Sequence, residues 1–317
     1  MSSRNDRRRL LSPWLAMACV ACSLSFASRA SAFCRSRTEP ASVQGTCGTV
    51  GAQLAWQGVC AGYSHFVTVP DEAGVTLDQV RAEAVTAAAR WHSVPCDAAM
   101  TPPYYELRAL TADRTSDTFV LSGYDARAPN ANTVSFNTIW TLNGNHHLGT
   151  IAVTIVTFDR VSGEILDADV ELNQFSDVNP DGFRFTVGMP QPNSADLPTI
   201  LTHEFGHFLG MAHSDQSTAV MWPEAGLGET RRDLRQDDRD AICDAYPPDR
   251  TPQLTCNLVP FGGFALTQQG ARVVGGCAVS PSQPTNPRRG GAFAISLIAL
   301  SVASGFGRMR WRVRKPV

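Results

Sequence analysis

The sequence predicts a mixed α/β domain of the α+β type, and three observations support that prediction. The chain has 317 residues, of which 43% are hydrophobic and 18% charged, as is typical of a globular core. Strand-like segments come first, and an amphipathic helix follows the first of them. Residues 149–173 carry the clearest β pattern, with apolar residues on most of both faces and a turn at Ser162-Gly163.

Each predicted element follows from a local pattern. Residues 63–69 are typical of a strand, and Thr76 is the predicted N-cap of the helix after them. Apolar residues then recur at helical spacing as far as Trp91. The other predicted strands are residues 104–110, 133–136, 149–157 and 165–172.

Residues 1–32 predict secretion. A basic start and an apolar stretch lead to Ala30-Ser31-Ala32, which is typical of a signal-peptide cleavage site. An N-terminal membrane anchor is the alternative, but Pro13 disfavours a membrane-spanning helix.

The C-terminal end predicts a membrane or cell-surface anchor. Residues 290–307 contain no charged residue, and basic residues flank them on both sides. This end resembles the three-part sorting signals of some bacterial exported proteins, and Gly275-Gly276-Cys277 resembles the motif of the myxosortase type. The resemblance implies that the tail is removed during surface anchoring. Retention in the inner membrane and a buried core helix are the alternatives.

The cysteines predict disulfide bonds, because exported proteins meet oxidising conditions. Of the nine cysteines, Cys19 and Cys22 lie in the signal segment and Cys277 lies in the sorting motif. The cysteines that remain are even in number and could pair. Spacing alone does not determine connectivity. The two working pairs are Cys60–Cys96 and Cys243–Cys256.

One histidine motif carries the predicted chemistry. Residues four apart share a helix face, so His203 and His207 can offer two imidazoles to one metal, with Glu204 beside it. Gly210 can adopt positive φ, end the helix and let the chain return His213 as a third ligand. Three histidines leave one coordination position open, which is the layout of a catalytic zinc site. The alternative is a helix with histidines and no metal.

The neighbouring residues favour a buried helix. Asp196 is its predicted N-cap, and Pro198 is tolerated in the first turn. Apolar side chains surround most of the helix, so we expect the histidines at the base of a cleft. These apolar residues are Ile200, Leu201, Phe205, Phe208 and Leu209.

The pattern His-Glu-x-x-His-x-x-Gly-x-x-His from residue 203 to 213 resembles the metzincin clan. Ser214 after the third histidine resembles the matrixin family, and Met221 resembles its methionine turn. Residues 234–246 resemble the C-terminal helix of matrixins. The resemblance covers roughly residues 52–248 and is specific from residue 196 to residue 246.

The resemblance implies a metzincin-like zinc peptidase domain. Its expected parts are a twisted, mostly parallel sheet, an active-site helix, a methionine turn and a C-terminal helix. It also implies a zinc metalloendopeptidase that cleaves proteins or peptides, with Glu204 as the catalytic base. Met221, Trp222 and Pro223 are the expected walls of a substrate pocket, with Trp222 at a position that is usually Tyr.

Two family features are not recognisable in the same form, and a possible calcium loop is a separate question. Cys34 and Cys47 lack a Pro-Arg-Cys-Gly setting, so a cysteine switch is not expected. His146-His147 could hold a second, structural zinc, but an adjacent pair in an Asn/Gly loop favours a solvated loop. Residues 177–182 match the start of a calcium loop, although a turn rich in Asp, Asn and Gly is the alternative.

Composition and motif together limit the function classes. A formal net charge of −2 indicates no nucleic-acid partner. We expect a monomer that is secreted and then anchored by its C-terminus. The alternatives to a peptidase are a zinc hydrolase of non-peptide amides and a non-catalytic surface binding module.

The predicted segments follow from these interpretations. They are a signal peptide at 1–32, a short N-terminal segment at 33–51, the catalytic domain at 52–248, a linker or stalk at 249–289, and a hydrophobic segment with a basic tail at 290–317.

Overall fold

A computed structural model describes most of the chain between the N-terminal segment and the start of the linker. The described residues are 33–39, 47–65, 69, 71–110, 124, 130–138, 140, 149–175, 179–251, 255–256 and 258. Their strands are β1 (Cys60–His65), β2 (Glu106–Ala109), β3 (Thr133–Asn137), β4 (Ala152–Phe158), β5 (Ile165–Asn173), β6 (Phe185–Thr186) and β7 (Ala195–Asp196). Their α-helices are α1 (Leu77–His92), α2 (Leu197–Phe208) and α3 (Gln236–Ala245).

The main sheet has the order β2-β1-β3-β5-β4. Neighbours among the first four strands pair in parallel, and β4 pairs antiparallel with β5. The predicted α+β class and the mostly parallel sheet are therefore confirmed. Within the described part of the chain, β4 forms one edge of this sheet.

The β4–β5 hairpin turns where the sequence predicts it. Gly163 has φ +78°, and a Cβ there would lie 2.3 Å from the carbonyl oxygen of Gln53. The Asp159 carboxylate accepts hydrogen bonds from the backbone amides of Val161 and Ser162. Both strands are buried along nearly all of their length, as expected for a pattern that is apolar on both faces.

Helix α1 begins at the predicted cap. The Thr76 hydroxyl accepts a hydrogen bond from the Gln79 amide, and the Gln79 side chain accepts one from the Thr76 amide. The buried face of α1 is rich in alanine and ends at Trp91. The Trp91 indole donates to the carbonyl of Thr202 over 2.8 Å, which joins α1 to α2.

Both working disulfide pairs are wrong. The bonds are Cys34–Cys47, Cys60–Cys256 and Cys96–Cys243. The tertiary fold explains the correction, because residues after α3 run beside β1 and a Cβ at Gly62 would lie 2.9 Å from the carbonyl oxygen of Leu258. The six cysteines left after the signal segment and sorting motif are set aside all form pairs, as expected.

The residues after α3 contact the domain. The Arg250 guanidinium donates to the carbonyls of residues 56, 57 and 58 and lies 5.0 Å from the Tyr246 ring centroid. Together with the Cys60–Cys256 disulfide, these contacts place Arg250 and Cys256 beside the start of β1.

Several predicted features lie outside the described residues. These are the signal segment, the sorting motif with its hydrophobic tail, His146-His147, and the first two residues of the possible calcium loop. Among the residues that the structure describes, no helix is both long and apolar enough to cross a membrane.

Candidate active site and metal centre

Helix α2 is fixed at its start. The Asp196 carboxylate accepts hydrogen bonds from the amide and the hydroxyl of Thr199, which confirms the predicted N-cap. The Arg232 guanidinium donates to the same carboxylate, at 2.9 Å from Nε. Every residue of α2 is buried, as the apolar pattern predicts.

The end of α2 directs the chain toward the third histidine. Gly210 has φ +88°, and a Cβ there would lie 2.3 Å from the Leu54 carbonyl oxygen. The amide of Gly210 donates to the carbonyl of His207, and the amide of Met211 donates to that of Gly206, which is a Schellman ending. Glycine is therefore required by both backbone conformation and space.

Three histidines converge at this turn. The candidate ligand atoms of His203, His207 and His213 all lie within 4.8 Å of one another. His207 Nε2 and His213 Nε2 are 3.1 Å apart. His203 Nδ1 lies 2.7 Å from the Val220 carbonyl, and His207 Nδ1 lies 2.9 Å from the Met211 carbonyl.

This arrangement fits a metal ion. A carbonyl oxygen can only accept a hydrogen bond, so Nδ1 of His203 and His207 must carry the proton and Nε2 the lone pair. The Nε2 lone pair of His207 then faces Nε2 of His213 over 3.1 Å, and a cation between them would bind both. A donor set of three nitrogens suits zinc among the divalent metals.

The histidines are neutral in this environment. Burial lowers the pKa of His207 to about 4, against the opposite effect of its hydrogen bond to Met211. Burial also lowers the pKa of His203 and His213 well below the usual value, and the charges of neighbouring histidines add to this effect. Neutral imidazole is the form that binds a metal.

Glu204 follows His203 directly in α2 and is a buried carboxylate, only 1% exposed. The hydroxyl of Thr154, on edge strand β4, donates to Glu204 Oε2 over 2.6 Å. Burial raises the pKa of Glu204 to about 8, and the Thr154 hydrogen bond acts in the opposite direction. A divalent cation beside the carboxylate would also lower the pKa of Glu204.

Met221 lies against the active-site helix. A Cβ at Gly206 would lie 2.3 Å from the Met221 sulfur and 2.7 Å from the Trp91 ring, so these side chains pack where Gly206 has none. The carbonyl of Met221 accepts a hydrogen bond from the amide of Ser214, directly after the third histidine. The methionine turn therefore supports both the helix and the loop that carry the histidines.

Asp238 on α3 anchors the methionine turn. Its carboxylate accepts hydrogen bonds from the backbone amides of Val220, Met221 and Arg235. The side chain is fully buried, and burial raises the pKa of Asp238 while the three backbone donors oppose that shift. Helix α3 thus fixes the carbonyl of Val220 that orients His203.

The remaining predicted site residues follow on the same turn. Trp222 and Pro223 are half-buried directly after Met221.

In the possible calcium loop, Asn179 is buried, and its side-chain amide donates to Asn173 Oδ1 and to the Gln174 carbonyl.

The sequence prediction did not include two residues of the site in these roles. The sequence pattern predicts Thr154 only as one position of a strand, although a polar residue in an apolar strand can indicate a buried hydrogen bond. The sequence places Asp238 in the C-terminal helix but does not indicate its partners, because only the tertiary structure brings it to the backbone of the methionine turn.

Comparisons with known proteins agree with this site. Residues 138–247 match the family model described as matrixin. Human matrix metalloproteinase-16 is 40% identical over 73 residues, which is 22% of this chain and 12% of that protein. Metalloendoproteinase 1-MMP of Arabidopsis thaliana is 40% identical over 55 residues, or 17% and 15% of the two chains. Metalloendoproteinase 1 of Glycine max is 37% identical over 57 residues, or 18% and 19%.

The chain spans less than a fifth of the length of each of these relatives. The matched segment nevertheless contains all three histidines, Glu204 and the methionine turn. Residues 138–247 are therefore similar to the matrixins, and the mixed α/β domain around them is matrixin-like.

Proposed function

We propose that this chain is a zinc-dependent endopeptidase that hydrolyses peptide bonds in proteins or peptides. One observation carries the proposal: three imidazoles have ligand atoms within 4.8 Å of one another, and the helix that supplies two of them also carries the buried carboxylate of Glu204, directly after His203. His203, His207 and His213 would hold the zinc, and Glu204 would act as general base. The similarity to metalloendoproteinases supports the same activity.

The chain's own groups account for the proton transfers. When bound here, zinc supplies Lewis-acid chemistry that acidifies a water molecule and polarises the scissile carbonyl. Glu204 takes up a proton at its carboxylate and passes it to the leaving nitrogen. Thr154 keeps that carboxylate in place, and burial shields the proton from bulk solvent.

Thr154 offers a sharp test of this positioning. We expect Thr154→Val to lower kcat by about 10- to 100-fold with little change in KM, because a misplaced base reduces turnover. Thr154→Ser keeps the hydroxyl and should retain most of the activity. Thr157→Val is the matched control on the same strand, since the Thr157 hydroxyl has no hydrogen-bond partner among the described residues. If Thr154→Ser is as slow as Thr154→Val, the hydrogen bond does not position Glu204.

Edge strand β4 is the proposed binding surface for the substrate. An extended peptide could add to this edge as a further strand, next to the Glu204 that Thr154 contacts. The residue after the scissile bond would then enter a pocket walled by Met221, Trp222 and Pro223.

The pocket predicts a hydrophobic preference at that substrate position. In a peptide library, leucine should be preferred over alanine by at least about 10-fold, because several buried methylene groups distinguish the two. The preference should be reduced in Trp222→Ala. A strong preference for charged residues in the wild-type protein would contradict the pocket assignment.

The test of the function itself is proteolysis of a panel of denatured proteins by the purified chain. We expect cleavage that stops on chelation and returns with zinc. A protein that binds zinc and hydrolyses small non-peptide amides, but leaves the protein panel intact, would be the non-peptide hydrolase. A protein that binds zinc and cleaves neither would be the surface binding module, although a buried carboxylate beside the histidines disfavours that function.

The proposal extends to the ends of the chain and to further ligands. We propose export through the signal segment at 1–32 and anchoring through the segment at 290–317. Residues 249–289 would be the connecting stalk, whose start is held on the domain by Arg250 and by the Cys60–Cys256 disulfide. A monomeric state and a calcium ion at residues 177–182 stay predictions.

A further inference from the structure

The first part of the N-terminal segment, residues 33–39, pairs directly with the loop that carries the third histidine. This ligand loop comprises residues 210–213 and follows α2. Arg35 and Met211 form an antiparallel bridge. The backbone hydrogen bonds of the bridge run from the Ser36 amide to the Gly210 carbonyl over 2.9 Å and from the Ala212 amide to the Cys34 carbonyl over 3.0 Å.

The N-terminal segment contacts the same backbone carbonyl that orients one of the candidate metal ligands. The Met211 carbonyl accepts hydrogen bonds from His207 Nδ1 over 2.9 Å and from the Ser36 hydroxyl over 3.0 Å. Ser36 therefore constrains the oxygen atom that orients the His207 ring. Ala212, whose amide the segment also binds, directly precedes His213.

The segment is itself anchored on the domain. The Arg35 side chain is buried, and its guanidinium donates to the Leu54 carbonyl over 2.7 Å and to Asp244 Oδ2 over 3.0 Å. Cys34 is joined to Cys47 by a disulfide. Neither sulfur is therefore available to bind a metal as a thiolate, which is the form that would block the site.

We propose that the N-terminal segment is a lasting part of the metal site and not an inhibitory segment that leaves on activation. Ser36 is a positioning residue, which orients His207 through the Met211 carbonyl. The proposal rests on the metal site proposed above, but its main readout is metal binding and does not require a peptidase.

The first experiment compares two hydroxyl deletions in the same segment. Ser36→Ala loses the contact with Met211, whereas Thr38→Ala loses a contact with the Ala52 amide and leaves the ligand loop untouched. We expect Ser36→Ala to weaken zinc binding by about 10-fold, the lower end of the effect for groups that orient metal ligands. Its cobalt-substituted form should also show shifted d–d absorption bands, because the His207 ring is less constrained.

Thr38→Ala should change thermal stability alone, and Ser36→Thr should restore wild-type metal affinity and spectrum. If Ser36→Ala and Thr38→Ala have the same affinity and spectrum, Ser36 has no positioning role and the proposal is overturned. A wild-type protein that binds no zinc overturns the metal site itself, and the positioning role with it.

A second experiment distinguishes an N-terminal segment that supports the metal site from one that inhibits the enzyme. The double variant Cys34→Ser/Cys47→Ser opens the loop that the disulfide closes within the N-terminal segment and leaves the other two disulfides. We expect weaker zinc retention against a competing chelator, and lower turnover. A rise in activity at unchanged zinc content would show that the segment inhibits the enzyme, and would overturn the proposal.

Discussion

His207→Ala should lose the metal and the peptidase activity together. This residue supplies one of three converging nitrogens, and its Nδ1 is also bonded to the ligand loop at Met211. Loss of one ligand from three should weaken zinc binding far beyond the about 10- to 100-fold expected for loss of an orienting group. Zinc content after dialysis against a weak chelator measures this directly.

His92→Ala is the matched control for that variant. His92 is half-buried at the end of α1, outside the cluster of His203, His207 and His213. It should keep wild-type zinc content and activity. Equal zinc retention in His207→Ala and His92→Ala would remove His207 from the metal site.

Asp238→Ala should cause the largest loss of stability at a residue that does not contact the metal. The substitution leaves the amides of Val220, Met221 and Arg235 without their acceptor. The buried amides of Val220 and Met221 would cost roughly 1–3 kcal/mol each and the partly buried amide of Arg235 less, so we expect the free energy of unfolding to fall by about 3–5 kcal/mol. Denaturant unfolding should be measured at saturating zinc, because metal binding also stabilises the folded state.

Asp240→Ala controls for the loss of an acidic residue on the same helix. Asp240 is exposed and accepts a hydrogen bond from Gln236. Its substitution should change the unfolding free energy by no more than about 0.5 kcal/mol. If Asp238→Ala unfolds at the same denaturant concentration as Asp240→Ala, Asp238 does not anchor the methionine turn.

The sequence predicts the site wherever the information is local. The helical spacing of His203 and His207, the cap at Asp196 and the turn at Gly210 all follow from residues within a short stretch, and each is present in the structure. The β4–β5 hairpin was predictable for the same reason, since its apolar pattern and turn signal are contiguous.

The missed features depend on residues far apart in the chain. Cys60 and Cys256 meet because the chain after α3 returns to β1. The predicted pair Cys60–Cys96, which joins cysteines closer in sequence, is therefore wrong. Thr154 meets Glu204 across the boundary between sheet and helix. Such contacts are set by strand order and crossing geometry, which local periodicity does not contain.

The N-terminal segment shows the same limit at the level of function. The sequence of this segment indicates only an irregular stretch with two cysteines and no recognisable inhibitory motif. In the structure it pairs with the ligand loop. A contact such as that between Ser36 and Met211 can be identified only from the folded structure, because the two residues are far apart in sequence.

The most direct test of the central claim is to measure zinc content and cleavage side by side in the wild-type protein and Glu204→Gln, with the exposed Glu72→Gln as control. We predict that all three proteins hold about one zinc ion, and that only Glu204→Gln loses cleavage, by about 10²- to 10⁴-fold. That result would assign Glu204 as the base and would show that the metal does not need Glu204 as a ligand. Undiminished cleavage by Glu204→Gln, or a wild-type protein without zinc, would contradict the account.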